Sequence, residues 1–173
     1  FAKQIREPET HRFSTPSGKI EVYSTALAAN PDPFGLGVIS PTPTWVPHLD
    51  RSADFPLQMC SAKSRARTHS IHGNQEKLAK VDPDCVWIHA DDAAARGIHH
   101  GQMVKVFSPQ GATILPANVT KDIAPGVTSM LDGAWFTPNK DGVDTRGSPN
   151  SVTADMSAPC GATTYNSNFV EVR

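Results

Sequence analysis

Short apolar stretches, broken by turn chemistry every eight to twelve residues, set the rhythm of this chain from Phe55 onward. Leu57 to Cys60 reads as a short apolar strand, and Cys85 to His89 as another. Asp91 to Gly97 reads as a short helix, with acids in its first turn, Arg96 in its last and Gly97 as the stop. Ile98 packs back, and His99-His100-Gly101 turns into a strand at Met103 to Phe107. Ser108 to Gly111 is a hairpin turn. The strand Ala112 to Val119 places Thr113, Leu115, Ala117 and Val119 on one face. Pro125-Gly126 ends a connection and opens a strand at Val127 to Leu131, which runs into Gly133-Ala134-Trp135-Phe136. A tail rich in Asn, Gly, Ser and Pro closes on a strand at Asn168 to Val172. Gln75 to Asp84 reads as a variable stretch. Many short strands with few short helices predict a mostly β fold, a small barrel or sandwich.

The N-terminal third follows a different pattern. Phe1 to Arg12 is polar without a clear period and reads as an arm. Thr15 to Gly18 is a turn, Lys19 to Tyr23 alternates like a short strand, and Ser24 caps a short helix over Thr25 to Ala29. Six prolines (Pro31, Pro33, Pro41, Pro43, Pro47 and Pro56) then impose an extended surface segment, with Phe34 and Trp45 expected to pin it. The predicted division is an extended arm over residues 1–54 and a β-barrel over 55–173.

Composition narrows the classes. With 38% hydrophobic residues, 15 prolines and 12 glycines, the chain has enough for a core but turns often. A net charge of −1 argues against bulk attraction to nucleic acid. No apolar run reaches membrane length, so direct membrane insertion is not expected. Cys60, Cys85 and Cys160 form no CxxC, and the first and second sit among apolar residues as expected buried thiols. The chain opens with Phe rather than Met, which suggests a piece of a longer protein.

Against this neutral background, residues 61–74 stand out. Lys63, Arg65, Arg67, His69 and His72 fall within ten residues, interleaved with Ser61, Ser64, Thr68 and Ser70. Hydroxyls and guanidinium forks at the end of a strand suit an anionic ligand with phosphates and ring edges. A solvated basic turn is the competing reading. His69 and His72 lack a matching cysteine or carboxylate partner, so zinc is not expected, and His99 and His100 read as exposed. Asp91 and Asp92 serve the helix dipole rather than catalysis.

Four segments, in order, resemble the C-terminal region of the dimethyl sulfoxide reductase family, the molybdenum or tungsten enzymes that carry bis-molybdopterin guanine dinucleotide. They are FSTPSGKIEVYS from Phe13, FPLQMCSAKSRARTHS from Phe55, the core from Val86 to Trp135, and the closing GSPNSVTADM to NFVEV segment from Gly147 to Val172. The R-x-H-S element at Arg67 to Ser70, Asn74 behind it and the GAW ending at Trp135 resemble the dimethyl sulfoxide reductase type most. The closing motif carries Val152 where Leu is usual, and Cys160 to Thr163 departs from the commoner tails.

The resemblance implies a double-psi β-barrel that holds one side of the dinucleotides. It implies cofactor contacts from Ser61, Lys63, Arg65, Arg67, His69, Ser70, Asn74, Asn150 and Asn166, with Asn168 a further candidate and Trp135 either stacking or packing. Arg67, His69 and Asn150 should share one groove; in a barrel that merely binds a partner protein they would scatter. No residue here should ligate molybdenum or catalyse. The parent is implied to reduce an S-oxide or N-oxide by oxygen atom transfer in anaerobic respiration, with a 4Fe–4S cluster outside this chain. Formate dehydrogenase, polysulfide, arsenate or selenate reductase types remain open alternatives. Implied partners are the rest of the catalytic subunit, an iron–sulfur electron-transfer subunit and a membrane anchor subunit. The implied setting is bacterial, periplasmic or membrane-associated through partners, with the cytoplasm an alternative.

Overall fold

The structure, a computed structural model, describes residues 1–33, 35, 37–45, 51–155 and 166–173. The chain divides into two compact units, residues 1–47 and 48–173.

The first unit is built from turns and two one-turn helices, α1 (Ala2–Arg6) and α2 (Thr25–Ala29). Ser24 caps α2 as its sequence predicts: its hydroxyl accepts from the Leu27 N–H at 3.2 Å. The helix α1 lies within the polar stretch that reads as an arm in the sequence. Lys19 to Tyr23 is not a strand. No neighbouring strand supplies a ladder among the described residues, and side chains take the local backbone bonds instead. Thr15 Oγ1 donates to the Lys19 carbonyl at 2.6 Å, and Glu21 Oε1 accepts from the Ser17 N–H at 2.8 Å. Trp45 is 80% exposed and Phe34 lies outside the described residues.

The second unit is a closed barrel with strand order β1-β5-β2-β4-β3-β6. The strands are β1 (Leu57–Ala62), β2 (Val86–His89), β3 (Met103–Ser108), β4 (Gly111–Thr120), β5 (Val127–Leu131) and β6 (Asn168–Val172). Pairing is parallel for β1 with β5 and for β2 with β4, and antiparallel elsewhere. Alternation sends Leu57, Met59, Val86, Ile88, Val104, Val106, Leu115, Ala117, Met130, Val170 and Val172 inward, all buried. Each such large side chain contributes about 2 kcal/mol on burial. Thr113, Leu115 and Ala117 are buried on one face of β4, as the pattern predicts.

Two short helices lie between the strands in sequence, α3 (Glu76–Val81), in the stretch expected to be variable, and α4 (Ala90–Ala94), which packs on β2 and β4. Gly97 ends α4 in the left-handed region at φ 66°, with the Ile98 N–H returning to the Ala93 carbonyl at 2.9 Å. Asp92 does more than favour a dipole, since its Oδ2 accepts from the Gly126 N–H at 2.7 Å. Arg96 donates through Nε and Nη2 to both oxygens of Glu171, at 2.6 and 3.0 Å, fastening the end of α4 to β6. Cys60 and Cys85 are half-buried rather than buried: in β1 the inward positions are Leu57 and Met59, so Cys60 takes the other face.

Candidate functional site

The register of two parallel strands creates the site. Ala62 at the end of β1 pairs with Leu131 at the end of β5. The next residues, Lys63 and Asp132, therefore leave the barrel side by side, and the Asp132 N–H donates to the Ala62 carbonyl at 2.8 Å. Lys63 Nζ pairs with Asp132 Oδ2. The same Oδ2 lies 3.4 Å from His69 Nδ1, and Lys63 Nζ lies 3.1 Å from that nitrogen.

The loop after β1 is held by two carboxylates that follow α3. Asp82 Oδ2 accepts from Ser64 Oγ and from the Arg65 N–H, both at 2.8 Å. Arg67 donates to Asp84 through Nη1 and Nη2, at 3.0 and 2.5 Å, and to the Asp132 carbonyl through Nε and Nη2, at 3.2 and 2.9 Å. A tight turn follows, with the Ile71 N–H bonded to the Thr68 carbonyl at 2.9 Å and His69 at φ 50°. Gly133 seats this turn. At φ 86°, a Cβ on Gly133 would stand 1.8 Å from the His69 carbonyl oxygen, so only glycine allows the approach.

The opposite wall comes from residues 144–153. Asp144 is fully buried and organises it. Its Oδ2 accepts from Thr113 Oγ1 at 2.6 Å and from the Ser148 and Arg146 N–H groups at 2.8 and 3.3 Å, while Oδ1 accepts from the Thr137 N–H at 2.8 Å. Burial pushes this carboxyl up, and the hydrogen bonds from Thr113, Thr137, Ser148 and Arg146 more than offset it, holding it below the usual range. A 3-10 turn at Pro149–Ser151 then presents Asn150.

Between these walls lies a cavity of about 370 Å³, lined by Ser61, Lys63, His69, Ser70, Asn150 and, among others, Asp132 and Gly133. Five of the residues singled out in the sequence thus meet in one place. The others do not line it. Arg67 is 6% exposed with its guanidinium committed to Asp84, which removes it from the groove expected to hold it with His69 and Asn150. Arg65 opens instead on a second cavity of about 500 Å³ with Lys63, Trp87 and Met130. Asn74 is exposed and follows Gly73, whose carbonyl accepts from Arg146 Nη2 at 2.7 Å. Asn166 supports the site from behind: its Oδ1 accepts from the Ser61 N–H at 2.9 Å and from Ser61 Oγ at 3.2 Å. Asn168 is buried and its Oδ1 accepts from the Ala154 N–H at 2.9 Å. Trp135 packs the turn, its Nε1 donating to the Ser70 carbonyl at 2.7 Å.

Sequence reasoning missed Asp132, Gly133 and Asp144. The Asp-Gly pair straight after a strand is the one signal that could have marked the first two. Asp144 carried none, because its partners come from Thr113 and from two loops.

The family model described as Molydopterin dinucleotide binding domain matches residues 57–169. "Dimethyl sulfoxide reductase DmsA" of Haemophilus influenzae is 36% identical over 180 residues, covering 98% of this chain and 22% of that protein. "Probable dimethyl sulfoxide reductase chain YnfF" of Escherichia coli K12 is 39% identical over 177 residues, covering 96% of this chain and 22% of that protein. The chain thus spans about a fifth of the length of these curated relatives. Among solved structures, acetylene hydratase from Pelobacter acetylenicus superposes with a TM-score of 0.73 at 19% identity, over 96% of this chain and 25% of that one, a likeness of fold.

Proposed function

This chain belongs to the molydopterin dinucleotide binding domain family, and from that premise we propose that it is the cofactor-binding domain of a molybdenum oxidoreductase that reduces an S-oxide or N-oxide. One observation carries the reading: Ser61, Lys63, His69 and Ser70 from the loop after β1 meet Asn150, some eighty residues away, around a single cavity. That convergence favours cofactor binding over a partner-binding barrel.

The residues fit the group. Lys63 and His69 supply cationic or donor contacts for a pyrophosphate, with the hydroxyls of Ser61 and Ser70 beside them. Asn150 offers an amide whose oxygen accepts and whose nitrogen donates, which suits the edge of a pterin or guanine ring. Ser61 is pre-set by Asn166, so its hydroxyl need not be ordered when the ligand arrives. A cavity of about 370 Å³ takes part of such a dinucleotide, and other parts of a longer polypeptide would hold the rest. When bound, molybdopterin guanine dinucleotide supplies the metal centre at which an oxygen atom leaves the substrate. This domain contributes binding and orientation, and its crossed parallel pairings, β1 with β5 and β2 with β4, support a double-psi barrel.

In this reading the remainder of the catalytic subunit supplies the metal ligand and a 4Fe–4S cluster, and an iron–sulfur subunit and a membrane anchor subunit deliver electrons in anaerobic respiration. Relatives named dimethyl sulfoxide reductases support the S-oxide choice, and they are bacterial. Among the described residues no helix is long and apolar enough to cross a membrane, and a periplasmic or membrane-associated setting through partners is part of the proposal.

The test uses the full-length protein. Purified with its cofactor, it should contain molybdenum and pterin and reduce dimethyl sulfoxide or an amine N-oxide with an artificial electron donor. His69→Ala and Asn150→Ala should lower molybdenum and pterin content with the melting temperature retained. Unchanged molybdenum content in both variants overturns the reading.

A further inference from the structure

Lys63 borders two cavities, the one with His69 and Asn150 and the one with Arg65 and Trp87. Its side chain is 69% exposed, long and flexible, so packing alone does not decide which cavity its ammonium serves. Asp132 decides. We propose that Asp132 is a positioning residue that commits Lys63 and His69 to the cavity shared with Asn150. The inference rests on the cofactor-binding reading above.

Three features support this role. Oδ2 of Asp132 pairs with Lys63 Nζ, and His69 Nδ1 lies 3.1 Å from that ammonium and 3.4 Å from the same oxygen, so the carboxylate anchors the lysine and the lysine meets the histidine. The Asp132 backbone is itself fixed, by its N–H to the Ala62 carbonyl and by its carbonyl to Arg67. The carboxylate is therefore presented from a rigid base, as a group that must order a flexible lysine has to be. Finally, Oδ1 is buried with no hydrogen-bond partner among the described residues. A buried acceptor left unmatched costs stability, and a side chain kept for the fold alone would avoid it. The loop connections run through the Asp132 backbone, so its side chain is free to serve Lys63 and His69.

The test compares variants of the full-length, cofactor-loaded protein by a readout other than turnover, the rate at which molybdenum and pterin are lost on dialysis. Asp132→Asn keeps the shape and the backbone bonds but removes the charge. It should speed the loss about tenfold, as expected for one charge-assisted contact. Lys63→Met, at an exposed position, should speed it by a similar factor, and the double variant should be no worse than either single one. Additive losses overturn the proposal, because the two residues would then act separately. A lower melting temperature for Asp132→Asn with an unchanged loss rate also overturns it, since that is the signature of a structural role. Asn150→Ala separates the two levels. If it sheds cofactor while Asp132→Asn does not, the positioning role fails and the cofactor site stands. If neither does, and His69→Ala also keeps its cofactor, both fail.

Discussion

Arg67 grips Asp84 with two nitrogens, Nη1 on Oδ2 at 3.0 Å and Nη2 on Oδ1 at 2.5 Å, and does so almost out of reach of solvent. This turns one cation of the loop from an expected ligand contact into a fold contact. Arg67→Ala should leave Asp84 and the Asp132 carbonyl without partners and cost about 3 kcal/mol. Arg67→Lys should recover only a minor part, because an ammonium cannot reproduce the fork. Chemical denaturation of the full-length protein checks both, and a loss below about 0.5 kcal/mol for the alanine variant contradicts this assignment.

Gly133 and Gly101 both sit at positive φ, 86° and 80°, yet they should respond differently to alanine. At Gly101 a Cβ meets open space, so the cost is backbone strain of about 1 kcal/mol. At Gly133 the Cβ collides with the His69 carbonyl, so the turn from Thr68 to Ile71 must move. Gly133→Ala should cost several times more, about 3 kcal/mol or above. It should also lower cofactor content, which Gly101→Ala should not. Melting curves and molybdenum analysis of the two variants provide the comparison.

The buried carboxyl of Asp144 makes one wall of the site acid-sensitive. Its folded pKa lies below the ordinary carboxylate value, which is about 4 in an unfolded chain. A depressed folded value means the contribution is present above that unfolded value and disappears as pH falls through the folded one. Asp144→Asn should therefore cost about 2 kcal/mol at pH 7. The gap to the native protein should close as pH drops below about 4. Thermal unfolding across this range is the measurement, and a gap that stays constant refutes the linkage.

Burial pushes the Cys85 thiol up, and Asp82 and Asp84 add to the rise against a lowering hydrogen bond with Trp87. Cys85 should accordingly alkylate more slowly at pH 8 than a free cysteine in the same solution, and reach the free rate once the protein is unfolded. Mass spectrometry of peptides after a timed iodoacetamide pulse reads this directly.

The contrast between what the chain declares and what it conceals follows physical lines. Strands β3 and β4 were legible because they are sequence neighbours joined by the Ser108 to Gly111 turn, and their alternation is strict. Lys19 to Tyr23 shows the same alternation and forms no strand, since alternation without a neighbour supplies no ladder. For the site, residue type pointed to the loop from Ser61 to Ser70, yet could not sort its members. Whether Arg67 faces a ligand or Asp84 depends on where α3 returns the chain. The nearness of Lys63 to Asp132 depends on a parallel pairing between strands 65 residues or more apart, which no local pattern encodes.

That pairing has a counterpart at the barrel's seam, where Leu57 of β1 opposes Val170 of β6 and Met59 opposes Asn168. During folding β1 is an open edge until more than a hundred residues have been brought back to it, and closing so long a loop is slow. The closing hydrogen bonds include that from Ser61 to Asn166, inside the wall of the cavity. Ligand competence is therefore gained in the same late step that hides the edge from aggregation. A chain caught before that step has neither protection nor a binding site, so the two failures should always be seen together.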